Sequence, residues 1–299
     1  MSIRPIFAVS SALLLATSGP IGRPASATSP TAVVMLGTGT PNADPERSGP
    51  SVAVVVNGQP YIVDAGPGVV RRAAAAKLPM PSLSIVFLTH LHSDHTLGLP
   101  DLMLSPWVLD RTTPLRVFGP RGTRDMVQHI SAAYAKDVDI RLHGGEPSNK
   151  TGYRAIVAEI DSGIVYRDSN VTVTAFRVPH GTWDEALGYK FVARDRVIVI
   201  SGDTKPTDEI VKQCSRCDVL LHEVYLDSTS KRRTPAWRAY DKAFHTSTLE
   251  LGGLATRARP KLLVMYHQLY RGGTDEDLLR EVHTRYSGPV VSARDLARY

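Results

Sequence analysis

The sequence predicts an α/β fold in which two sheets pack face to face beneath outer helices. Two observations carry this. Apolar, β-branched runs recur in two successive series along the 299 residues, and helical patterns fall between and after them. No Pro/Ser/Gly-rich linker divides the chain, so residues 28–299 are expected to form one domain.

The first series is "AVVMLG" (32–37), "SVAVVVNG" (51–58) and "PYIVDAG" (60–66), with Asn57-Gly58 marking a hairpin. "VVRRAAAAKL" (69–78) has a helical pattern, and "LSIVFLTH" (83–90) is a strand. "PDLMLSPWVLDR" predicts a helix with Pro100 in its first turn, and residues 121–137 predict one more. Residues 142–155 are expected to form a long exposed loop. The second series is 170–180, 187–195, 196–203, 218–223 and 261–267, with a helix over 247–259 before the last strand.

Composition sets outer bounds. Hydrophobic residues at 42% against 21% charged exclude a disordered chain. The net charge of +6 favours anionic partners without singling out nucleic acid. "SKRRTPAWRAY" (230–240) is the one place where basic and aromatic residues mix. At the start, Arg4, the apolar "PIFAVSSALLLA" and the Ala25-Ser26-Ala27 site have the order of a secretory leader, too short to span a bilayer. Residues 1–27 are thus expected to be a signal peptide and the mature protein periplasmic or secreted, with no integral membrane segment. Cys214 and Cys217 are the only cysteines; a local disulfide and a pair of buried thiols both remain open.

Chemistry concentrates at the ends of the apolar runs. "FLTH" ends in His90, "RVPH" in His180, "VISGD" in Asp203, "LLHE" in His222-Glu223 and "MYH" in His267. One such histidine is more often a satisfied core residue than a ligand; five such endings converging on one sheet edge point to a site. Neutral imidazole and carboxylate are the ligands of catalytic divalent metals. His90 and His92 are two apart and can point the same way from an extended segment, with Asp94 and His95 following on the turn. A carboxylate has two oxygens with which to bridge two cations.

The run "HLHSDH" (90–95) resembles the signature of the metallo-β-lactamase superfamily. The resemblance extends over almost all of residues 32–299, with "VDAG" before the run and "VPHG", "SGDT" and "YHQ" after it in the expected order. "LGTGTP", "HTLGLPDL", "HEVY" and "HTST" resemble the ribonuclease Z and secreted arylsulfatase branch. The resemblance implies a metallo-β-lactamase fold, a four-layer αββα sandwich of two mixed sheets with helices outside. It implies two divalent ions, zinc first and manganese or iron as alternatives. One would be held by His90, His92 and His180, the other by Asp94, His95 and His267, with Asp203 between them. Asp64 would orient ligands from behind, or else cap the next turn. His222 would be structural. Asp94, Glu223 and His245 would form the catalytic group, His245 protonating the leaving group with Glu223 beside it. The alternative for His245 is a residue of a helix start capped by Thr246 and Ser247.

The implied reaction is hydrolysis of a small anionic ester, a phosphodiester or aryl sulfate, by a metal-bound hydroxide. Ribonuclease Z commonly carries a long arm between the third histidine and the bridging aspartate. Only residues 181–202 lie there, so nucleic acid is the less favoured substrate. Lactonase or β-lactamase chemistry is the enzymatic alternative, and Asp203, where β-lactamases generally have cysteine, weighs against the latter. A glyoxalase-like enzyme would need a further C-terminal domain, and a redox diiron relative a glutamate at His92. A metal- or nucleic-acid-binding module is the non-enzymatic alternative. A homodimer is compatible with the sequence, which does not require one.

Overall fold

Val33 and Met35 face the space between two sheets, while Val34 and Leu36 face outer helices. The same alternation runs through most of the central strands. Both faces of each strand are therefore buried, which is why the strands read as continuous apolar runs rather than as polar–apolar repeats. The computed structural model describes Met1 and residues 31–299; the rest of the expected leader lies outside the described residues.

The first sheet contains β1 (Ala32–Gly37), β2 (Ser51–Val56), β3 (Gln59–Val63), β4 (Ile85–Phe87), β5 (Leu115–Gly119) and β6 (Ala155–Glu159), side by side in that order. Its first two pairings are antiparallel and the next three parallel. The second sheet contains β7 (Gly163–Arg167), β8 (Val171–His180), β9 (Trp183–Ala193), β10 (Val197–Ile200), β11 (Val219–Tyr225), β12 (Leu262–Leu269) and β13 (Val290–Ser292), again in chain order across the sheet. β7 to β10 pair antiparallel, and β10 to β13 parallel.

Helices α1 (Val69–Ala75), α2 (Ser93–Thr96), α3 (Leu99–Val108), α4 (Thr123–Ala133) and α5 (Ala135–His143) follow strands of the first sheet. The second half contributes α6 (Asp208–Cys214), α7 (Asp227–Ser230), α8 (Pro235–Phe244), α9 (Thr248–Ala258) and α10 (Asp275–His283). One apolar layer joins the inner faces of both sheets, including Phe87, Tyr189, Phe191 and Tyr266. A second joins the first sheet to α1, α3 and α4, and a third joins the second sheet to α6, α9 and α10. The result is the four-layer αββα sandwich of two mixed sheets.

Local expectations are met with adjustments. Asn57 and Gly58 both take positive φ, 51° and 80°, as a two-residue hairpin turn requires. The helix expected over 121–137 breaks at Tyr134 and continues to His143 as α5. The expected loop over 142–155 is shorter and in part tied down. Fully buried Arg111 donates to the carbonyls of Leu83, Leu102, Met103 and Gly152, joining that loop to α3. β5, β6, β7, α7, α10 and β13 were not anticipated. Cys214 and Cys217 are disulfide-bonded. Among the described residues no helix is long and apolar enough to cross a membrane.

Candidate metal centre

The site forms where strand ends of both sheets meet. β4 stops at Phe87, and the chain passes through buried His90 to His92, which begins the single turn of α2 with Asp94 and His95 on it. His180 closes β8, and Asp203 follows β10 after Gly202, whose φ of 62° turns the chain there. A side chain at Gly202 would also press on Thr89 and on the carbonyl of Leu187.

His267 is positioned differently from the expectation of a strand end. It lies inside β12, which runs on to Leu269, just as Glu223 lies inside β11. The pairing steps from Glu223–Tyr266 to Val224–Gln268, leaving His267 bulged out at φ 46°. Tyr266 faces the inter-sheet core, so a regular strand would send the next side chain to the helix layer. The bulge re-aims it into the site.

Seven side chains converge. His90 Nε2 is 2.9 Å and His180 Nε2 3.3 Å from His92 Nδ1. His267 Nε2 is 3.2 Å from Asp94 Oδ2 and 3.4 Å from Asp203 Oδ2, and His95 Nε2 is 3.6 and 3.5 Å from the same oxygens. Donors ~2.1 Å from one cation stand about 3.0–3.5 Å from each other in octahedral or tetrahedral arrangement, so these spacings fit divalent metal. His90, His92, His180 and Asp203 make one candidate set and Asp94, His95 and His267 another. Asp203 also reaches the second set, and its Oδ1 is buried without a hydrogen-bond partner, as is His95 Nε2. Buried polar atoms left this way are costly unless something else binds them.

The far nitrogens are pinned as well. His95 Nδ1 meets Asp64 Oδ2 at 2.8 Å, His180 Nδ1 donates to the carbonyl of Phe244 at 2.7 Å, and His90 Nδ1 lies 3.0 Å from the Thr89 hydroxyl. Asp64 also accepts the backbone N–H of Thr89 at 2.8 Å and sits at φ 62°. It therefore fixes both the entry to the histidine run and one of its rings, rather than only capping a turn. At His92 the neighbour is Trp183, whose indole N–H donates to Nε2 at 2.9 Å. Trp183 stands opposite His180 in the β8–β9 hairpin, and only Gly181 and Thr182 separate them.

Burial lowers His90 well below the ordinary imidazole value, lowers His92, and brings His180 down to about 4, keeping all three neutral. Burial opposes ionisation of Asp203, but His267 and His95 outweigh it and hold the carboxyl well below its usual range. For His95 burial is outweighed by Asp203 and Asp64, which raise it.

Glu223 and His245 stand beside this cluster. His245 Nδ1 is 3.4 Å from Glu223 Oε1, which also accepts the backbone N–H groups of Thr246 at 3.0 Å and Thr204 at 3.3 Å. Burial raises the Glu223 carboxyl, with His245 opposing. Ser247 begins α9 with a capping box to Glu250, so Ser247 does the capping and leaves the His245 ring free. His222 points away, its Nδ1 donating to the carbonyl of Glu223 at 2.7 Å. A cleft of about 240 Å³ opens over the cluster, lined by His92, Asp94, Asp203, His245 and His267 together with Asn42, Trp237, Tyr240 and Arg271. Sequence reasoning did not single out Trp183 or Arg271. The only available signal was their nearness in sequence to His180 and His267.

The model of the beta-lactamase superfamily domain matches residues 60–268. The chain belongs to the metallo-β-lactamase superfamily. Among superfamily relatives, proteins named ribonuclease Z from Mycobacterium bovis and Mycobacterium tuberculosis are 32% and 30% identical, each over 89% of this chain and 96% of the relative. A metallo-β-lactamase-fold protein from Bacillus subtilis aligns over 91% of this chain and 100% of its own, with TM-score 0.71 at 19% identity. The short form of human tRNase Z aligns over 90% and 98%, with TM-score 0.68 at 23% identity. These two structures bear on the superfamily fold alone.

Proposed function

We propose that the protein is a dinuclear metal-dependent phosphodiesterase acting on a small anionic ester. The observation that carries this is the placing of Asp203 Oδ2 within 3.5 Å of both His95 Nε2 and His267 Nε2, while Asp203 also belongs with His90, His92 and His180. His90, His92 and His180 would hold one divalent ion, Asp94, His95 and His267 the other, and Asp203 both. What such ions supply when bound is a water of lowered pKa and positive charge opposite the developing anion. The relatives named ribonuclease Z favour a phosphodiester over an aryl sulfate, and the oxygen- and nitrogen-only donor set suits zinc, with manganese or iron as substitutes.

The chain's own residues then do the following. Asp94, at the cleft floor, accepts the proton of the attacking water. Glu223, tethered by two backbone N–H groups, stands 3.4 Å from His245 Nδ1, close enough to orient the ring so that its other nitrogen faces the departing oxygen. The two-residue β8–β9 turn and the small cleft suit a short ester better than a long polymer. The leader-like residues 1–27 favour export, which N-terminal sequencing of the mature protein tests: a start after Ala27 supports it and a retained Met1 refutes it.

The test of function is hydrolysis of bis(p-nitrophenyl) phosphate by zinc- and manganese-loaded protein, beside p-nitrophenyl sulfate, a lactone and nitrocefin. Metal-dependent turnover of the diester above the others is expected. Turnover confined to the sulfate, the lactone or nitrocefin would overturn the phosphodiester assignment.

A further inference from the structure

The basic, aromatic stretch 230–240 folds onto the mouth of the cleft. Thr234 caps α8 and Pro235 occupies its first turn, so Trp237, Tyr240 and Phe244 fall on one stripe at helical spacing. Tyr240 packs edge-on to Trp237 at 5.5 Å and stacks on Phe244 at 4.5 Å, and its ring lies 5.7 Å from that of His245. Trp237 nonetheless leaves 48% of its surface exposed while lining the cleft. A large indole is seldom left open at a cleft mouth unless something covers it.

Charge is arranged around the same indole. Fully buried Asp241 accepts from Arg233 at 3.2 Å, from Arg271 at 3.1 Å and from the Ser230 hydroxyl at 2.6 Å. Two guanidiniums thus share one carboxylate, and one positive charge is left over. Arg233 lies over the Trp237 ring at 4.1 Å, and Arg271 is 6.0 Å from it. Arg271 reaches the cleft wall beside His267, and its Nε is buried without a hydrogen-bond partner. The ion pairs to Asp241 need neither the indole nor that free N–H.

We propose that Trp237, backed by Tyr240, receives a flat aromatic ring on the substrate, while Arg271 steadies the anionic group joined to it. This rests on the ester-hydrolase reading of the adjoining centre and narrows its substrate class to aromatic-bearing anionic esters. The ring is either a simple aryl group or a nucleobase; both offer a π-face to stack and an adjoining anion.

Calorimetric binding of phenylphosphonate, uridine 5′-monophosphate and methylphosphonate to the metal-loaded full chain tests this without relying on turnover. In wild type at least one ring-bearing ligand should bind about tenfold or more tighter than methylphosphonate, as one stacked ring provides. Preference for the nucleotide indicates a nucleobase, and preference for phenylphosphonate an aryl group. The ring-to-methyl ratio should fall towards one in Trp237→Ala, recover in Trp237→Phe, and persist in Arg271→Gln with all three affinities reduced. Metal content and circular dichroism, matched across variants, separate these losses from misfolding. A wild-type ratio near one, or an unchanged ratio in Trp237→Ala, would overturn the proposal. Absence of diester turnover with the ratio intact would instead count against the phosphodiesterase reading alone.

Discussion

Asp64 Oδ2 stands 2.8 Å from Nδ1 of His95, and Asp64 Oδ1 takes the backbone N–H of Thr89 at the same distance. One buried carboxylate thus sets the ring of one candidate ligand and the start of the loop carrying the others. Asp64→Ala should weaken metal binding by about 10–100-fold. The loss should be larger for the ion assigned to Asp94, His95 and His267 than for the other, because His95 loses its direct partner whereas His90 keeps the Thr89 hydroxyl. Chelator competition on protein with intact secondary structure checks this; equal loss at both sites would show that Asp64 merely supports the fold.

The 3.4 Å approach of Glu223 to His245 leads to a leaving-group prediction. Nitrophenolate departs with little help from an acid, whereas an alkoxide needs protonation. His245→Ala should slow alkyl diesters by about 10²–10⁴-fold and nitrophenyl diesters much less. Rates on two diesters differing only in leaving group, at matched metal content, decide it. Equal loss on both would make His245 structural.

Trp183 makes a separate prediction. Its indole N–H can only donate, and it faces His92 Nε2 at 2.9 Å. If His92 offers the Nδ1 lone pair to a metal, its proton resides on Nε2, and two donors then face each other. Metal loading should therefore shift Trp183 and change its fluorescence, and in a Trp237→Phe background Trp183→Phe should abolish the change while Trp107 remains. A metal-induced change that survives the substitution would refute this.

His222 governs part of the acid sensitivity. Burial lowers it to about 4, so the native state keeps it neutral. As pH falls below ~6.5 the unfolded chain takes up the proton first, and stability is lost down to the native value. Between pH 7 and 5 this group alone should cost about 2 kcal/mol. Urea unfolding of chelator-treated protein should give a shallower pH dependence for His222→Leu than for wild type. Parallel slopes would show that His222 does not carry the effect.

Much of this was legible in the residues, and for physical reasons. Strands buried on both faces, such as Val33–Leu36 and Leu263–Tyr266, announce themselves as apolar runs, and histidines at their ends stand out against them. β7 escapes because Gly163–Arg167 is an edge strand with exposed Ile164 and Arg167, so no continuous apolar run marks it. β5 is only five residues long and carries exposed Arg116. The bulge at His267 leaves no local signature, because its positive φ is imposed by the pairing with β11. The role of 230–240 was hidden for a similar reason: only the tertiary fold brings Trp237 to the cleft beside His245, His267 and Arg271.

A two-ion centre joined by Asp203 fixes the metal stoichiometry. Elemental analysis of purified protein should give two divalent ions per chain. His267→Ala should retain one, His90→Ala should retain one, and Asp203→Ala should hold fewer than either while folding normally. One tightly bound ion in wild type, unchanged by His267→Ala, or two ions retained in Asp203→Ala, would show that Asp203 does not join two ions.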